Sequence, residues 1–186
     1  MRRLCVFCGS APGAHASYGE AARALGLALA RRGIGLVYGG GHTGLMGMVA
    51  DAALEAGGQV IGVIPQTLVE REVAHRGLTE LHVVHSLHER KALMGRLSDA
   101  FVALPGGFGT LDEFCEVVTW RQLGLHEKPC ALLNINGYFD HFLTMLEHAQ
   151  REGFIAARTM ERLIVRNEVT RLLEVLAATP GTAPAL

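Results

Sequence analysis

Short, continuous apolar runs alternate along the chain with longer stretches in which apolar positions recur every three or four residues. The runs predict strands over 4–8, 35–38, 59–64, 80–85, 100–104 and 129–133. The amphipathic stretches predict helices over 18–32, 45–56, 89–97, 111–123 and 138–152. A last strand-like piece at 163–165 precedes a terminal helix starting near Asn167, a good N-cap residue. Strands that are apolar throughout need cover on both faces, so the pattern predicts an α/β fold with a doubly wound parallel sheet. A single domain over 1–178 is expected, with a frayed tail at 179–186 that holds two prolines and a glycine.

In such a sheet ligands bind beyond the carboxyl ends of the strands. Three glycine-rich loops fall there, at 9–13, 39–47 and 105–110. Gly39-Gly40-Gly41-His42-Thr43-Gly44 formally satisfies GxGxxG. A dinucleotide site also needs an acidic residue ending the next strand, and that strand ends Ile64-Pro65-Gln66. No glycine is followed by Lys-Ser or Lys-Thr, so there is no Walker loop, and no GxSxG elbow is present.

Residues 105–113 carry more chemistry. Proline ends an apolar strand, and Gly106, Gly107 and Gly109 leave the backbone bare and free to take positive φ. Thr110 is positioned to cap the next helix, whose first-turn amides attract an anion such as phosphate. Two roles stay open for Glu113. Thr110-x-x-Glu113 fits a capping box, but an anion on the same amides would turn the carboxylate toward the ligand. Glu116 lies one turn on, on the same helical face, and Arg90 and Lys91 open the preceding helix near the same rim.

Composition narrows the partners. Lys+Arg number 17 against 18 Asp+Glu, so nothing favours long nucleic acid, and no apolar run is long enough to span a bilayer. Cytoplasmic residence is the default expectation. The four cysteines form no disulfide framework, and the Cys5-x-x-Cys8 pair sits in a strand-like run as small buried hydrophobes. His82, His85 and His88 invite a metal hypothesis, but His82 and His85 point to opposite faces of one strand, so no metal site is expected. Pyridoxal chemistry needs a lysine, and neither Lys91 nor Lys128, the only two, has a convincing setting.

Taken together, these segments resemble the Lonely Guy (LOG) family of cytokinin riboside 5′-monophosphate phosphoribohydrolases, whose older label is lysine decarboxylase-like. The resemblance runs from Val6-Phe7-Cys8-Gly9-Ser10 to about Ile155. It takes in Tyr38-Gly39-Gly40-Gly41, His88-Glu89-Arg90-Lys91, Pro105-Gly106-Gly107-Phe108-Gly109-Thr110 and Thr119-Trp120-Arg121-Gln122-Leu123-Gly124. It implies a Rossmann-like homodimer, without metal or organic cofactor, that hydrolyses the bond between an adenine-type base and ribose 5-phosphate. It also implies Arg90 and Glu113 as the catalytic pair and Gly106, Gly107, Phe108, Gly109 and Thr110 as the phosphate loop. Lys91, Thr119 and Glu72 match further ligand-side positions. Phe108 stands where the family commonly has tyrosine, Asp112 where it has glutamate and Leu87 where it has methionine. An AMP nucleosidase and a non-catalytic nucleotide or cofactor carrier are the competing expectations.

Overall fold

The computed structural model describes residues 1–69 and 74–179. Seven strands form one wholly parallel sheet: β1 (Arg3–Phe7), β2 (Gly35–Tyr38), β3 (Val60–Pro65), β4 (Glu80–Val84), β5 (Ala100–Ala103), β6 (Cys130–Leu133) and β7 (Leu163–Arg166). The spatial order is β4-β3-β2-β1-β5-β6-β7. Strand order therefore reverses beside β1, which makes the crevice between β1 and β5 the topological switch point of the sheet.

Helices cover both faces. In chain order they are α1 (Ala16–Arg31), α2 (Gly44–Glu55), α3 (Gln66–Val69), α4 (Leu87–Leu97), α5 (Phe108–Gln122), α6 (Asp140–Arg151), α7 (Ala157–Glu161) and α8 (Val169–Ala178). Alternate strand residues feed opposite cores, as the two-residue period of a strand requires. Leu4 and Val6 of β1, with Ala100 and Val102 of β5, pack under α1, α2 and α8. Cys5, Phe7, Phe101 and Ala103 pack under Met94 of α4 and Phe114 and Val117 of α5. Cys5 and Cys8 are buried in these cores as expected, and burial pushes both thiols well above their ordinary pKa.

Each predicted strand is present to within about one residue at either end. Helix starts differ more. The last helix begins at Val169, with Glu168 rather than Asn167 at its N-cap and no side-chain cap. α6 begins at Asp140 because the Asn134 side chain holds the preceding turn, accepting from the Phe139 amide at 2.7 Å and donating to Asp140 at 2.7 Å. α3 and α7 are a single turn or so each, too short to leave a periodic signature. Glu72 and residues 180–186 lie outside the described residues. Among the described residues, no helix is long and apolar enough to cross a membrane.

Candidate active site at the carboxyl edge of the sheet

The loops after β1, β2 and β5 are stitched together. The Gly9 amide donates to the Pro105 carbonyl at 3.1 Å, and the Leu45 amide donates to the Gly9 carbonyl at 3.0 Å. Between them lies a cleft of about 260 Å³, lined among others by Gly39, Arg90, Gly107, Phe108, Thr110 and Glu113.

α5 starts earlier than the capping pattern implies. Gly107 is its N-cap, with extended backbone, and Thr110 stands inside the first turn, buried against Gly106. Thr110 therefore caps nothing, and Thr110-x-x-Glu113 forms no capping box. A side-chain cap does form one helix earlier, where Ser86 is the N-cap and Glu89 reaches back to the residue before it. Ser86 accepts from the Glu89 amide at 3.1 Å, and the Glu89 carboxylate accepts from the His85 amide at 2.8 Å.

The glycines serve proximity, because none of Gly106, Gly107 and Gly109 has positive φ. A β-carbon on Gly106 would collide with the Thr110 side chain and the Gly9 amide. At Gly107 and Gly109 it would meet nothing within 4 Å, so their backbone is bare toward open space. The amides of Phe108, Gly109 and Thr110 precede the first helical hydrogen bond, which the Leu111 amide makes to the Gly107 carbonyl at 3.1 Å. Free first-turn donors at the positive end of a helix dipole make an anion cradle.

Glu113 sits on the second turn of α5 with only 8% of its surface exposed. Its Oε1 lies 3.1 Å from a terminal nitrogen of Arg90. Arg90 is itself held from the sheet. Its Nε donates to the Val63 carbonyl at 3.0 Å, and its second terminal nitrogen donates to the Gly39 carbonyl at 3.4 Å. A β-carbon on Gly39 would strike that guanidinium, so glycine at the end of β2 is what lets the arginine lie across it. Burial raises the Glu113 pKa above the ordinary glutamate range, and the Arg90 charge only partly opposes this.

Glu116 parts company with Glu113. Lys91 approaches Asp112 at 2.9 Å and Glu116 at 3.1 Å, outside the cleft lining. Burial works against the Lys91 charge, but these carboxylates outweigh it and raise its pKa. Thr119 also lies off the cleft, its hydroxyl donating to the Cys115 carbonyl at 2.7 Å. Motif reasoning does not reach Tyr138, whose hydroxyl donates to the Gly106 carbonyl at 2.6 Å and ties the glycine loop to the segment after β6. Only the adjacent Asn-Gly turn signal hinted that this segment is fixed.

A doubly wound sheet with a glycine-lined anion cradle and a buried Arg–Glu pair at its switch point defines a Rossmann-like nucleotide-site protein. Residues 46–176 match the family model described as "Possible lysine decarboxylase". Over 169 residues the chain is 54% identical to the cytokinin riboside 5′-monophosphate phosphoribohydrolase of Rhodococcoides fascians, covering 90% of this chain and 85% of that one. It is 53% identical over 173 residues to the phosphoribohydrolase LOG of Oryza sativa subsp. japonica, covering 93% and 71%. The chain belongs to this Lonely Guy family. Its fold is also similar to that of the molybdenum cofactor carrier protein of Chlamydomonas reinhardtii, with a TM-score of 0.70 at 22% identity over 95% and 98% of the two chains. The decarboxylase description finds no support in the lysines. Lys91 is engaged by carboxylates, Lys128 donates to the Gly95 carbonyl at 2.8 Å, and neither lines the cleft.

Proposed function

We propose that this chain is a cytoplasmic phosphoribohydrolase that releases the free base and ribose 5-phosphate from cytokinin riboside 5′-monophosphates. The observation that carries the proposal is the Glu113 carboxylate, buried beside Arg90 and facing the same cleft as the bare amides of α5. The relatives' activity and their similarity over most of the chain support the choice of substrate.

The phosphate sits on the Gly107–Thr110 backbone, which fixes the far end of the substrate and sets the sugar near Glu113. As the C–N bond breaks, its electron pair leaves with the base and positive charge develops on the sugar. The Glu113 carboxylate stabilises that cation and takes a proton from the water whose oxygen bonds to the anomeric carbon. The departing base takes up a proton from solvent and Glu113 gives the one it took back to solvent, so the elements of one water end on the sugar and the base. Arg90 remains protonated throughout, so it acts by charge: it orients Glu113 and stabilises developing negative charge nearby.

A homodimer belongs to the same proposal. Thr119 lies six residues, about 240° around the helix, from Glu113. It cannot face its own cleft, so a ligand-side role requires it to reach the cleft of a second copy. Neither long nucleic acid nor a membrane enters this scheme. Chromatography for free base, with isopentenyladenosine monophosphate and AMP as parallel substrates, tests the proposal. Release from the first in clear preference is expected. Preference for AMP would make the chain an AMP nucleosidase, and no release from either would make it a carrier.

A further inference from the structure

A second cavity, of about 340 Å³, opens at the amino-terminal ends of β6 and β7, on the rim opposite the cleft. Its floor includes Cys130 and Leu163, the first residues of those two strands. Its walls carry three guanidinium groups, Arg121 from the last turn of α5 and Arg158 and Arg162 from α7 and its end, against one carboxylate, Glu127. Glu127 is committed to Arg162 at 3.2 Å. No carboxylate among the described residues lies within 4.0 Å of Arg121 or Arg158. Arg121 donates to the Arg162 carbonyl at 3.1 Å, but its Nε is buried without a hydrogen-bond partner. The buried Nε and the bond to the Arg162 carbonyl hold the Arg121 guanidinium in place at the cavity wall, with no carboxylate to neutralise its charge.

The helix end itself does not supply the positive field, because the carboxyl end of a helix is negative. Here that end is neutralised locally. The amides of Leu123, Gly124 and Leu125 take up the carbonyls of Thr119, Arg121 and Trp120. The excess charge in the cavity is thus two arginines, and the planar guanidinium fork matches phosphoryl oxygens.

We propose that this cavity is a second ligand site, distinct from the cleft, that takes the phosphoryl or diphosphoryl group of a small molecule. The volume falls within the range of small-molecule sites, about 300–1,000 Å³. Arg121 lies two residues, about 200° around α5, from Thr119. The cavity nonetheless adjoins the face assigned to a second copy, because Val118, Gln122, Thr159 and Leu163 line both it and the apolar pocket that includes Thr119. The site does not depend on the hydrolase reaction, since none of its residues lines the cleft.

Calorimetric titration with pyrophosphate of the full chain and of an Arg158→Gln/Arg162→Gln variant tests it. A tungstate soak of crystals of the full chain locates the anion directly. The expected result is a binding component at least tenfold weaker in the variant, with AMP turnover unchanged and tungstate between the three guanidiniums. The single Arg158→Gln variant, which leaves no protein group unpaired, should lose part of the same component and guards against misfolding of the double variant. Equal pyrophosphate affinity in all three proteins, or tungstate confined to the glycine cradle, would overturn the site.

Discussion

Glu113 and its surroundings concentrate the chemistry in a few atoms. Replacing it with Gln keeps size and hydrogen bonding but removes the charge that stabilises the sugar cation. Turnover should fall by about two to four orders of magnitude, while nucleotide binding, measured by calorimetry, persists. Wild-type turnover in that variant would remove Glu113 from the mechanism. Because burial raises its pKa, the carboxylate protonates at a pH higher than an ordinary glutamate does. Activity that needs the ionised form is lost as pH falls through that raised value. The acid limb of the kcat/KM profile should therefore lie above the usual glutamate range. Tyr138→Phe tests the cradle from the other side. It deletes only the hydroxyl that holds the Gly106 carbonyl. Loss of about 1 kcal/mol of loop positioning predicts roughly fivefold lower kcat/KM on the nucleotide. The 5′-hydroxyl nucleoside, which does not use the cradle, should be turned over as before. An equal loss on both substrates would mean a general structural role.

At the scale of elements, the strands were legible because a fully buried strand writes itself as an unbroken apolar run bounded by glycine and proline. Helix starts were legible only where local chemistry was unambiguous. The S/T-x-x-E pattern recurs along the chain, and of its instances at Ser86–Glu89 and Thr110–Glu113 only the first caps a helix. Glycines before Thr110 let α5 begin three residues sooner, which moves Thr110 into the first turn and frees Glu113 to face the cleft. No local pattern distinguishes the two cases, because the decision rests on packing of Gly106 against Gly9 from a distant loop. Likewise the sequence put Arg90 and Lys91 together, but their separation into cleft and surface depends on which carboxylates α5 presents to each. The Ser86 cap is directly testable. Ser86→Ala should cost about 1 kcal/mol, read as a lowered denaturant midpoint. Thr110→Ser, which keeps the buried hydroxyl and makes no cap to lose, should change the midpoint far less. A larger loss at Thr110 would show that the first-turn packing outweighs the Ser86 cap.

At the scale of the whole molecule, the switch point brings one cleft together from a single chain, yet Thr119 is turned away from it by the pitch of α5. This conflict between motif and geometry has a definite consequence if two copies share their sites. A cleft would then consist of Glu113 from one copy and Thr119 from the other. Thr119→Ala, by removing a hydrogen bond to a charged ligand, should lower activity at subsaturating substrate about tenfold or more. Glu113→Gln abolishes it by a separate route. When the two variants are co-expressed, each mixed dimer contains one doubly impaired cleft and one with both native residues. Random pairing makes half the dimers mixed, so about one quarter of all clefts should be native, and activity should return to roughly that fraction of wild type. Proteins purified separately and mixed without subunit exchange should show no such gain. If co-expression restores nothing while mixed dimers are demonstrably present, Thr119 does not serve a partner's cleft. Its hydroxyl then has only the Cys115 carbonyl to serve, as a helix-surface residue of its own copy.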